Sequence, residues 1–237
     1  MIDGSIDEAS ALSSTRDELK KSQDGEGKVV ASFSEGVSNL FDTSRGNVAA
    51  NDIAQILAEN QGSRFAIVSP LVAHCPLYSG EQTASDLRYA VADTPVWKAD
   101  MTGEELESFV STLVSSLSSA YRLPVVAGMH MQVAPEKDGG YRLESLSAIL
   151  SSGPITQEGG QDTAAANEGQ GDLASLDDDS RYSVVVSCYE WQAEEWDLEG
   201  KGFSRAGSTT LLGSVIASFE KAQRHSLPAY QDYFALS

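Results

Sequence analysis

Residues 96–117 constrain this chain more than any other stretch. They run from an apolar strand (VWKADM) through a sharp entry into an amphipathic helix (TGEELESFVSTLVSSL). The Thr102 side chain can accept from the N–H of Glu105, and Glu105 can reach back to the N–H of Thr102. That capping box ties down donors the helix cannot satisfy itself. Glu104 and Glu105 place carboxylates at the positive end of the helix dipole. Leu106, Phe109, Val110, Leu113, Val114 and Leu117 then recur at i, i+3, i+4, i+7, i+8 and i+11, one apolar stripe at helical spacing. The spacing predicts a core helix.

Composition bounds the rest. A chain of 237 residues is long enough to bury a core as one large domain or two small ones. It has no apolar run of roughly 18 residues that could span a membrane. No basic segment is followed by an apolar one, which argues against a signal peptide in this sequence. The opening MIDGSIDEAS fits equally a start from which an export signal was trimmed. The formal charge of −19 opposes binding to nucleic acid or anionic lipid. Asp177, Asp178 and Asp179 are adjacent, which suits a solvated turn rather than a chelate, and no EF-hand-like loop occurs. His74, His130 and His225 show no ligand spacing, so no metal site is expected, and each reads as structural. Cys75 and Cys188 form no metal-binding motif. They read as two buried thiols.

Taken in order, residues 1–27 read as a loosely ordered polar lead-in, with at most a short helix over 8–21. Residues 28–33 are a strand candidate. Val48, Ala49, Ile53, Ile56 and Leu57 make one apolar helical face, with Gly62 where a C-cap belongs. Residues 64–68 read as a buried strand closed by Ser69-Pro70. Residues 123–134 read as strand, glycine, strand, with Gly128 either for close backbone approach to a ligand or as a bulge. A further strand is expected over 141–150. Residues 151–174 are rich in Gly, Gln, Ala, Thr and Ser without periodicity and read as a flexible insertion. Val184 to Val186 is a strand. Trp191 and Trp196 could floor a pocket or cover a core edge; the second is favoured because Trp is usually well buried. The last helix, over 209–223, carries Leu211, Leu212, Val215, Ile216 and Phe219 on one face. Tyr230, Tyr233 and Phe234 close the chain as a docking tail.

This order of segments resembles the C-terminal, substrate-recognition domain of the 5′-nucleotidase family. Gly46-Asn47-Val48 matches the start of its Gly-Asn-Leu helix, with Asn51 where the family has Asp. Gly80-Glu81-Gln82-Thr83 matches its Pro-Gly-Glu-Leu/Ile-Thr turn, and residues 84–92 its short helix. Thr102-Gly103 matches the start of its Thr-Gly-x-x-Leu helix. Gly128 matches the glycine of its Leu-x-x-Ser-Gly segment. Asp177, Asp179 and Tyr182 match its Leu-Asp-Pro-Asp-x-x-Tyr run. Other positions depart. In the loop after residues 64–68, Ser69 stands for the family's Asn and His74 for its substrate-contacting Arg. The Pro-Phe-Gly-Asn loop becomes Val91 to Thr94. Its base-stacking Phe is therefore Ala92, and a ring under a base is worth roughly 1–3 kcal/mol. Tyr189 takes the place of the second stacking aromatic. In the Gly-Gly-Asp-Gly-Tyr match over residues 199–203, the nucleoside-gripping Asp is Lys201, followed by Gly202.

The resemblance implies one α+β domain over residues 28–237, a mixed β-sheet with at least three packing helices. It implies a ligand site for a nucleoside or nucleotide-like molecule at Asn47, Ser69, His74, Thr94, Gly128, Tyr189, Lys201 and Gly202. It also implies an extracytoplasmic setting and an N-terminal metallophosphatase partner domain. The family's dinuclear metal would sit in that separate domain, since such sites need clustered Asp, His and Asn ligands. No catalytic residue and no cofactor is assigned to this chain. Neither a G-x-S-x-G elbow, a P-loop nor G-x-G-x-x-G is present. In the family pattern Cys75 and Cys188 lie in two loops that line the same pocket, so the resemblance implies that they pair if the protein is exported. Two readings follow: a recognition module with an altered pocket, non-catalytic by itself, or a surface module for protein contacts that binds no nucleotide.

Overall fold

A computed structural model describes residues 29–33, 36–43, 45–150, 172–222 and 233–236. The expected lead-in over 1–27, most of the expected insertion, Tyr230 and His225 lie outside the described residues.

Chain order runs β1 (Val29–Phe33), β2 (Phe41–Asp42), β3 (Gly46–Asn47), α1 (Val48–Gln61) and β4 (Phe65–Val68). Next come β5 (Gly80–Thr83), α2 (Ala84–Ala90), β6 (Pro95–Thr102), α3 (Gly103–Ser115), β7 (Val125–Ala127), β8 (Met129–Pro135) and β9 (Tyr141–Ile149). The chain ends with β10 (Leu173–Ser175), β11 (Arg181–Ser187), α4 (Glu190–Glu195), β12 (Ser204–Thr210), α5 (Leu211–Ala222) and β13 (Phe234–Leu236).

A five-stranded sheet in the order β12-β6-β11-β4-β7 forms the centre. Within it β11 and β4 are parallel and the other pairs antiparallel. The two parallel strands are buried over FAIV and over Val184 to Val186, as strands covered on both faces must be. A second sheet runs β10-β9-β8-β13; its β8 contacts β7 of the first sheet, and α3 contacts β6 of the first and β9 of the second. The architecture is mixed α+β, as expected.

The capping box is present: Thr102 N–H donates to Glu105 Oε2 at 2.8 Å and Glu105 N–H to Thr102 Oγ1 at 3.2 Å. All six stripe residues, Leu106 through Leu117, are buried. A second capping box opens α2, where Thr83 pairs with Asp86. Residues 80–83 are a strand paired with β1 rather than the expected turn. Residues 173–174, counted into the flexible insertion, pair with β9 instead. The tail docks as a strand: β13 runs parallel to β8, and Tyr233 and Phe234 are buried.

Helix α1 departs from a one-faced helix. It lies between the sheet and α5 and is buried from Ala49 through Ala58. Its polar positions are buried with it. Asn51 Nδ2 donates to Val126 O at 2.8 Å, and Gln55 Nε2 donates to Asn51 Oδ1 at 2.8 Å. Burial pushes the Asp52 carboxyl up to about 7, opposed by the charge of Arg45. A carboxyl held above its unfolded value makes the folded state bind the proton more tightly. Stability from this group is therefore greatest below about pH 4 and falls as pH rises towards about 7. Asp52→Asn removes that slope. Urea unfolding at pH 5 and pH 8 should show wild type losing roughly 1–3 kcal/mol more than the variant over that interval; equal losses would refute the assignment.

Candidate functional site

The register of the central sheet creates the site. β11 and β4 run parallel with Val184 opposite Phe65 and Ser187 opposite Val68, so both strands end at the same edge. β6 is antiparallel to β11 with Val96 opposite Ser187, so it begins there. Three connections meet at that edge: the loop after β4, the loop after β11 and the link into β6. Ligands of open sheets gather outside the carboxyl ends of parallel strands for this reason.

Four of the expected residues stand at this edge. Ser69 is buried; its Oγ accepts from Leu71 N–H at 3.3 Å, and its own N–H donates to Ser187 O at 3.1 Å. It caps the short 3-10 turn Pro70–Val72. Thr94 is buried, with Oγ1 2.9 Å from Ser187 Oγ, and that hydroxyl donates to Pro95 O at 2.8 Å. These two hydroxyls brace the loops against each other.

His74 and Tyr189 are the accessible members. The N–H of His74 donates to Ala90 O at 2.8 Å, which anchors the loop. Its Nε2 lies 2.6 Å from the hydroxyl of half-buried Tyr189. The two ring centres are 6.5 Å apart and the planes differ by 19°. The phenol oxygen projects beyond its ring and Nε2 lies on the rim of the other. A hydrogen bond this short at that separation sets the rings edge to edge as one nearly flat plate. Burial raises the Tyr189 pKa, so the phenol keeps its proton at neutral pH.

Trp191 lies beside Tyr189, its ring within 15° of the Tyr189 plane and 6.4 Å away centre to centre. Trp191 is 49% exposed, contrary to the expectation that it covers a core edge. It occupies the first turn of α4, where the chain has already left the sheet, whereas Trp196 is buried as expected. The Arg122 guanidinium lies 5.8 Å from the Trp191 ring centre. Arg205 pairs with Glu190 and stacks 5.0 Å from the centre of Trp97. Nothing in the periodicity marks Arg122; a fold contact brings residues 120–122 against 70–72.

Of the other expected residues, Asn47 reaches the loop after β4, its Nδ2 3.5 Å from Pro70 O, while Gly128, Lys201 and Gly202 stand away from this edge. Asn47 caps α1, its Oδ1 accepting from Ala50 N–H at 3.0 Å. It lines a cavity of about 10 Å³ together with Phe41, Pro70 and Tyr233, room for about one water. Gly128 lies at the opposite end of the sheet, because β7 runs antiparallel to β4. Its φ is +77°, and a Cβ there would stand 2.7 Å from Arg64 O. Close approach is required, but to this chain's own backbone. Lys201 and Gly202 form the turn before β12, their N–H groups donating to Asp197 O and Glu199 O. Since Ser204 pairs with Lys98, that turn enters the sheet away from the first residues of β6. Phe203 is buried 5.2 Å from Phe109, ring to ring. Ala92 is buried, its N–H bonded to Val72 O.

The expected disulfide is not formed: Cys75 and Cys188 are free thiols. Cys188 is buried, and burial with the nearby Glu190 charge pushes its thiol up to about 12. The Cys75 thiol turns instead to Tyr89 O at 3.7 Å. Among the described residues no group of three His, Cys, Asp or Glu side chains could hold a metal ion, and no helix is long and apolar enough to cross a membrane.

No protein-family model matches the sequence, and no curated protein matches it. Solved structures do. The 5′-nucleotidase precursor from Thermus thermophilus superposes with a TM-score of 0.66 at 13% identity, over 95% of this chain and 43% of that one. The NAD nucleotidase of Haemophilus influenzae gives 0.65 at 15%, over 96% and 42%. A sulfate thiohydrolase from Thermus thermophilus gives 0.62 at 11%, over 96% and 39%. The chain thus spans less than half the length of each. At these identities the likeness concerns the path of the backbone. Mixed α+β architecture and a match over about two-fifths of these longer chains give this protein the fold of the C-terminal domain of 5′-nucleotidases.

Proposed function

We propose that this protein is a substrate-recognition module of the 5′-nucleotidase type, non-catalytic by itself, with an altered pocket for a nucleoside or nucleotide. The observation that carries the reading is the meeting of Ser69, His74, Thr94 and Tyr189 at the carboxyl ends of two parallel strands. Buried hydroxyls fix the loops there, and His74 and Tyr189 present an aromatic, hydrogen-bonding face. The grip differs from the family pattern: His74 stands for Arg, Ala92 for the stacking Phe, and Lys201 reverses a charge. Chemistry on the phosphate belongs to a metallophosphatase domain with a dinuclear metal, in the same polypeptide or a partner, and the setting is extracytoplasmic.

Calorimetric titration with adenosine, AMP and a UDP-sugar tests this. Binding tighter than about 100 μM, near −5.5 kcal/mol, is expected for at least one of them. Millimolar or no binding across the panel overturns it. Such a result would favour an extracytoplasmic surface module that keeps the fold without a nucleotide. The exposed Tyr78, Tyr89 and Tyr121 favour that second reading, because aromatic residues are enriched where proteins meet.

A further inference from the structure

Substitution of the family's stacking Phe by buried Ala92 leaves a nucleobase without one of its two faces. A ring elsewhere at the same sheet edge must replace it if a base binds. Trp191 is that ring: it is half exposed, and its plane is nearly parallel to Tyr189. Contacting rings stack at about 3.5–4 Å between atoms of facing planes. These two centres stand 6.4 Å apart, inside the roughly 4.5–7 Å of contacting aromatic pairs, so a base would lie on the exposed surface of the Trp191 ring and not between the two rings.

We propose that Trp191, together with Tyr189, is the base-stacking surface of this protein, supplied by the segment over 190–199 instead of the loop over 91–94. The proposal rests on the nucleotide-recognition reading above. Tyr189 is held by its hydrogen bond to His74, and Trp191 by the Arg122 guanidinium against its ring. Both rings are therefore steadied before a ligand arrives, which lowers the ordering cost of binding. Trp191 follows Tyr189 by two residues, at the start of α4, where Gln192 Oε1 accepts from Tyr189 N–H at 3.3 Å and fixes the turn. Stacking recognises any base by its face and does not read its edge, so discrimination among bases should be weak.

The test is titration of the full chain and of Trp191→Ala, Trp191→Phe and Tyr189→Leu with AMP and with ribose 5-phosphate. Trp191 is exposed, so its variants should keep the wild-type circular dichroism and unfolding midpoint, which are recorded alongside. Trp191→Ala is expected to weaken AMP about ten- to hundred-fold, and Trp191→Phe to restore most of the loss. Ribose 5-phosphate, which lacks a base, should bind all four proteins alike. If wild type binds AMP and Trp191→Ala binds it equally, the inference fails while the recognition reading stands. If wild type binds neither AMP, adenosine nor a UDP-sugar, both fail together.

Discussion

Phe109→Ala is expected to destabilise the protein by about 3–5 kcal/mol, measured as the fall in urea unfolding free energy. The ring is 1% exposed on α3, the helix that contacts both β6 and β9. It also meets Phe203 at 5.2 Å with planes tilted by 44°. Deletion removes buried apolar surface, opens a cavity the two sheets cannot close, and loses a tilted aromatic pair worth about 0.5–1.5 kcal/mol. The neighbouring exposed Glu107→Ala should stay within about 0.5 kcal/mol of wild type. A loss below 1.5 kcal/mol for Phe109→Ala, to be judged against the cavity cost, would mean that α3 does not bind the sheets together.

Gly46→Ala should be nearly as damaging, although the change adds one methyl group. Gly46 has φ +65°, and a Cβ would fall 2.0 Å from the hydroxyl of Tyr233 and 2.7 Å from its ring carbon. Left-handed backbone costs a non-glycine residue about 1–2 kcal/mol, and overpacking adds about 1–3 kcal/mol. Tyr233 is held in place by hydrogen bonds at both ends. Its hydroxyl accepts from Asn47 N–H at 2.6 Å and lies 3.3 Å from Asn47 O, while its backbone carbonyl accepts from Met131 N–H. The double variant Gly46→Ala/Tyr233→Ala should therefore lose less than the sum of the single losses, by at least about 1 kcal/mol. Strict additivity would show that the two residues do not meet.

The pairing of Gly46 with Tyr233 illustrates where sequence reading stops. Tyr233 is fixed beside Gly46 by a hydrogen bond from Asn47 N–H that spans 186 positions, and no local pattern carries that distance. The same limit applies at the candidate site. Tyr189 was legible because it follows a strand at a matched position, and Ser69 because proline ends the strand before it. Trp191 was legible only as one of two readings, a pocket floor or the cover of a core edge, and the departure of the chain from the sheet leaves it half exposed. Gly128 was legible as a required glycine, but its partner, Arg64 O, lies on another strand. The two cysteines share a loop-bearing edge in the family pattern, yet both are free thiols, Cys188 buried and Cys75 turned to Tyr89 O, and such placement depends on packing.

Sequence alone determined the local elements: the capping box and apolar stripe of α3 and the central buried strands, with the mixed α+β class following from their order and its family resemblance. These depend on contacts within a few residues, or on a period that burial imposes on any chain. Tertiary structure decided the rest. It buried α1 nearly all round, turned Gly128 towards backbone, left the thiols free and brought Trp191 and Arg122 to the aromatic edge. Each depends on strand register and on which neighbour fills the space, quantities that arise only when distant segments pack together.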